Sequence, residues 1–135
     1  MFLMNKEEVL TELKRINDYL GDCLWMDFEL NVANSFKIAI IGKISQSYNQ
    51  SDIEIYFEHP HFITSPFSWT TDAAKPFISL CTGDKEADIN MKYRVELGNY
   101  LFEINAEDYD TPPIVIIAKK VTCEILNEIP FPNTQ

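Results

Sequence analysis

His59 and His61 come nearest to a metal-ligand pattern in this chain. At i and i+2 on an extended strand they would project to the same side. Neutral imidazole is a good ligand for zinc or iron. The pair stands in Glu58-His59-Pro60-His61, where Pro60 lacks a ladder donor and disturbs strand geometry. These are the only histidines, so a metal centre would need a carboxylate or thiolate from elsewhere in the fold. The plainer role is to hold hydrogen bonds at a strand end; no metal and no cofactor is assigned.

Three other groupings bear on chemistry. Asp84 to Asn90 has the acidic spacing of a calcium loop. Its sixth position is Ile89 where the sharp turn wants glycine, and its twelfth is Val95 where a bidentate glutamate belongs, so calcium is rejected. Glu103, Glu107, Asp108 and Asp110 lie within eight residues around Tyr109. Carboxylates pair with lysine or arginine of a partner, and tyrosine is a good anchor, so this run is the leading candidate for partner binding. Asp27, Glu29, Glu54 and Glu58 form a second acidic face. Trp69, in the proline-bounded stretch 65–72, is expected to close the end of a core rather than stand exposed.

Signals of catalysis are weak. With 21 Asp and Glu residues, some pair will always lie at a separation suited to hydrolysis, so that criterion selects nothing. No nucleophile-elbow pattern surrounds any serine. The four glycines are dispersed and build no phosphate loop. Cys23, Cys81 and Cys123 have neither zinc nor thioredoxin spacing. None has a basic residue within two positions, and they read as reduced, buried thiols.

Charge narrows the partner. The 135 residues carry 11 Lys and Arg against the 21 acids, a formal net charge of -10. Such a surface repels phosphate backbones and anionic bilayers, and suits a cationic protein. The N-terminus lacks the pattern of a secretory leader, and Met4 offers an alternative start. The longest apolar run, Ile114 to Ala118, is too short to span a bilayer. A cytoplasmic location is expected, and the oligomeric state is left open.

The elements that must position these residues follow from periodicity. Val9, Leu13, Ile16 and Leu20 recur at helical spacing, with Asn5 and Glu8 as a capping box and Gly21 as the stop. Alternation predicts strands over 24–32, 36–44, 52–58, 77–81, 87–97, 100–105 and 114–125. The strand over 36–44 is apolar on both faces and so reads as central or covered. On the strand over 52–58, Asp52, Glu54 and Glu58 are expected to face outward. Polar loops fall at 45–51 and 106–113, a turn or short helix at 72–75, and a hairpin turn at Gly98-Asn99. The tail from 130 to 135 is expected to fray. Residues 1–135 are therefore expected to form one α+β domain, an N-terminal helix packed on a curved, mostly antiparallel sheet of six to eight strands.

The leading functional expectation is a non-enzymatic acidic binding protein of the immunity type, masking a cationic toxin or nuclease. The alternatives are a small-molecule or metal-assisted pocket near His59 and His61, and a structural or assembly subunit.

Overall fold

The computed structural model describes residues 4–23, 25–44, 50–72, 74–107 and 109–127. Most of the expected 45–51 loop and the whole 130–135 tail lie outside them. The fold is α+β, with two helices and nine strands among the described residues. Helix α1 (Lys6–Gly21) opens with the expected capping box: the Asn5 side chain accepts from the Glu8 N–H, and the Glu8 carboxylate accepts from the Asn5 N–H. Val9, Leu13, Ile16 and Leu20 form its buried stripe.

The strands make two antiparallel sheets. One has the order β5-β1-β2-β3-β9, from β1 (Asp27–Ala33), β2 (Lys37–Lys43), β3 (Ile53–Glu58), β5 (Ser68–Thr70) and β9 (Lys120–Ile125). The other has the order β4-β8-β7-β6, from β4 (Phe62–Thr64), β6 (Ile78–Leu80), β7 (Tyr100–Ile104) and β8 (Ile114–Ala118). Strand β2 is central, and Ile38, Ala39 and Ile40 are buried on both of its faces.

The expected single strand over 114–125 is two strands, one in each sheet. Glu58 pairs with Lys120 on one side of the break, and Phe62 pairs with Ile117 on the other. His59, Pro60 and His61 therefore oppose only Ala118 and Lys119. The extra residue bends the ribbon, as a bulge does. His59 takes the left-handed conformation, φ 52°, at this corner. One bent ribbon thus passes from sheet to sheet. The core between them joins Ile55 and Phe57 with Phe102, Ile104 and Ile116, together with the α1 stripe.

The largest departure from the sequence reading is α2 (Gly83–Tyr93), which replaces most of the strand expected over 87–97 and removes its hairpin. The alternation of Ile89, Met91, Tyr93 and Val95 does not describe burial, since Met91 is 81% exposed. The half-buried positions of α2 are Glu86, Ile89, Asn90 and Tyr93, which is helical spacing. Asp84 and Glu86 in the first turn and Lys92 in the last suit the helix dipole. Ile89 and Tyr93 pack with Cys81, Leu101 and Ile117 on the outer face of the four-stranded sheet. Asp52, expected to face water, is 3% exposed and caps the start of β3 instead. Its carboxylate accepts from the Ile44 N–H (2.8 Å) and the Asn127 amide (3.0 Å).

Gly42 is the residue in β2 that lets the core close. Phe28 of β1 lies opposite it. A Cβ there would sit 2.7 Å from both Met26 Sδ and Phe28 Cζ, and both side chains are at most 1% exposed. Gly42→Ala is expected to destabilise the fold by about 1–3 kcal/mol through overpacking, seen as a lower urea midpoint with unchanged slope. A midpoint equal to that of the wild type would show that the core yields freely there.

Candidate functional site

Strand alternation builds a groove along β1 and β5. Asp27 lies opposite Thr70, Phe28 opposite Trp69, and Glu29 opposite Ser68. Phe28 and Trp69 turn inward and stack at 5.9 Å, so Asp27, Glu29, Ser68 and Thr70 share the outer face. A groove of about 500 Å3 runs between them, with Leu30 and Phe67 also in its lining. The Thr70 hydroxyl donates to Asp27 (2.8 Å). Phe67 is 85% exposed, whereas Trp69 closes the core as expected.

The acidic loop is fastened to this groove. The Glu107 N–H donates to the Thr70 carbonyl (2.9 Å), and Ala106 is buried beside it. Thr70 therefore touches Glu107 through its main chain and Asp27 through its side chain. Two acidic stretches distant in sequence meet at one three-residue strand. Glu107, Tyr109 and Asp110 are exposed, while Asp108 lies outside the described residues. No described ion pair involves Glu107 or Asp110.

Glu103 belongs elsewhere. Its side chain is 12% exposed and forms an ion pair with Lys85 of α2. The pair lies on the outer face of the four-stranded sheet. There the Glu103 carboxylate adds to the effect of burial in raising the Cys81 thiol pKa.

Glu54 and Glu58 stand on the outer face of the five-stranded sheet, among partners. Glu54 accepts from the Ser51 hydroxyl (2.6 Å) and from the Tyr56 hydroxyl. Those two hydrogen bonds hold its carboxyl below the ordinary value. The bond to Glu54, with some burial, pushes Tyr56 up to about 12. The Lys37 ammonium lies 5.1 Å from the Tyr56 ring centre, and Lys120 lies 3.8 Å from Glu58.

The two histidines do not share one side of a strand, because β3 ends before His59 and β4 begins after His61. His61 Nε2 lies 2.8 Å from the Tyr93 carbonyl; a carbonyl only accepts, so the imidazole donates there and holds the last turn of α2. No group of three His, Cys, Asp or Glu residues placed for a metal occurs among the described residues. A second groove, of about 380 Å3, passes His61 and is lined otherwise by Ala33, Asn34, Ser35, Ile38, Pro60, Phe62 and Ile63. The cysteines are free thiols. Burial raises Cys23 and Cys123 to about 11, so neither is primed as a nucleophile.

Sequence reasoning missed the groove and Phe67. The one legible hint was Ser68-Trp69-Thr70, a polar–apolar–polar alternation inside a region dominated by prolines. No helix among the described residues is long and apolar enough to cross a membrane. Comparison with protein-family models, with curated proteins and with solved structures finds no match to this chain.

The Glu54–Tyr56 contact gives a titration with a defined sign. A raised tyrosine pKa means that stability is fully present below the unfolded value, 10.0, and is lost as pH rises through about 12. A lowered carboxyl means that stability is present above the unfolded carboxylate range and is lost as pH falls through the folded value. Ultraviolet titration of wild type and Glu54→Gln is expected to show one tyrosine moving back toward 10.0 in the variant. Identical curves would remove the hydrogen bond as the cause.

Proposed function

We propose that this protein is a non-enzymatic acidic binding protein of the immunity-inhibitor class, which masks a cationic toxin or nuclease. The observation that carries the reading is the meeting at Thr70 of the 106–110 loop with the Asp27 and Glu29 face, on a chain of net charge -10. The surface offers the carboxylates of Glu107 and Asp110, which no described ion pair engages, and Tyr109 at 47% exposure between polar neighbours. Aromatic anchors surrounded by charge are where binding energy concentrates in protein interfaces.

The mechanism is occlusion. Carboxylates take the place that a phosphate backbone would occupy in a basic cleft, and the partner's cations lose access to their substrate. The net field speeds encounter, so association weakens as salt rises. Glu103 contributes little, because Lys85 already neutralises it.

The test is capture from lysate of the source organism in low salt, with salt-step elution and mass spectrometry. Wild type is expected to retain a basic protein that salt releases. The triple variant Glu107→Gln, Asp108→Asn, Asp110→Asn is expected to lose it while its stability changes by no more than about 0.5 kcal/mol. Equal retention by the variant, or an eluate without any basic protein, would sink the reading.

A further inference from the structure

We propose that α2 is a hinged cover, which swings off the four-stranded sheet as a unit while the rest of the chain stays folded. The proposal is independent of the masking reading. Topology is its first support. Strands β6 and β7 pair from Ile78–Ile104 through Leu80–Phe102, and the Cys81 N–H donates to the Leu101 carbonyl (2.8 Å). The hairpin is closed before α2 begins, and residues 82–99 are an excursion from it. Lifting the helix breaks no strand pairing.

Packing is the second support. Helix α2 has no buried residue, and none of residues 82–99 belongs to the main core. It rests on the sheet through Ile89 and Tyr93, with Val95 just past its end, against Phe62, Cys81, Leu101, Val115 and Ile117. A segment with few buried apolar contacts opens well below the free energy of global unfolding. Two polar contacts fasten it. Lys85 in its first turn pairs with Glu103 of β7. At the other end the His61 imidazole donates to the Tyr93 carbonyl (2.8 Å), and the Tyr93 ring stacks on Phe62 at 4.1 Å.

The backbone supplies the hinges. Gly83 at the front of α2 has φ 73°, and Arg94 and Gly98 behind it have φ 51° and 93°. His59 is the only other described residue with positive φ. Residues at the ends of an element are where hinge motions are absorbed. The movement bares Leu101 and Ile117, which are 2% and 0% exposed when the helix is down, together with Cys81 at 3%. That thiol is therefore a reporter for opening, and Cys23 and Cys123, packed against the main core, are its internal controls.

The experiment pulses the full chain with iodoacetamide over a series of low urea concentrations and reads each cysteine by mass spectrometry of the digest. Cys81 labelling is expected to rise with less than about a third of the global urea slope, because the slope scales with the surface exposed. Lys85→Ala and His61→Ala are each expected to speed Cys81 labelling about threefold to fivefold, with Cys23 and Cys123 unchanged. In native-state hydrogen exchange, the α2 amides are expected to exchange ahead of those of β7 and β8, which lie beneath. Cys81 labelling with the full global slope, variants that speed all three thiols alike, or α2 amides protected as well as those of β8 would each overturn the cover. Because Lys85→Ala changes a surface side chain away from the 59–61 corner, it keeps the test decisive even if His61→Ala disturbs folding.

Discussion

Of the four sheet edges in this fold, α1 meets two and supplies hydrogen-bond partners to the backbone of one residue on each. Strand β6 ends one sheet and β9 ends the other. Asn17 of α1 accepts from the Ile78 N–H (3.0 Å) and donates to the Ile78 carbonyl (2.8 Å) with a single amide. One turn earlier, Glu12 accepts from the Cys123 N–H (3.2 Å) and Arg15 donates to the Cys123 carbonyl (3.0 Å). Unpaired strand edges are costly when buried and hazardous when open. The helix therefore does more than bury Val9, Leu13, Ile16 and Leu20: its polar flank closes the fold at two places where strands run out.

The corner at residues 59–61 is the complementary device. It carries one ribbon from sheet to sheet, and the chain returns through β5 to the far edge of the first sheet. There a strand of only three residues separates the core from the solvent. Its middle residue, Trp69, stacks on Phe28 inside, while its neighbours line the acidic groove outside. The packing that fixes Trp69 also fixes Ser68 and Thr70, so the groove has a rigid floor.

The acidic balance is distributed unevenly in its consequences. Glu103, Glu54 and Glu58 are engaged with Lys85, with Ser51 and Tyr56, and with Lys120. Glu103 and Glu58 face lysines, whereas Glu54, held by two neutral hydroxyls, keeps its charge. The acids outside the described ion pairs are spread over the fold: Glu107 and Asp110 lie in the loop beside β5, and Asp84, Glu86 and Asp88 lie on α2.

Helix α1 with its cap, the central β2, the clean face of β3 and the α+β class were all legible in the chain before folding was considered. Those rest on periodicity and local hydrogen bonding, which a chain carries within a few residues. Long-range packing set the remainder. Residues 87–97 alternate as a strand would, yet over 83–93 helix formers, end charges and a helical spacing of half-buried positions prevail once Ile89 and Tyr93 have a sheet to pack on. The break between β8 and β9 has no local signal, because it depends on an extra residue in the opposing strand. Which carboxylates remain outside ion pairs was also illegible. Glu103 and Glu107 look alike in one acidic run, and a lysine from α2 separates them only when the chain is folded.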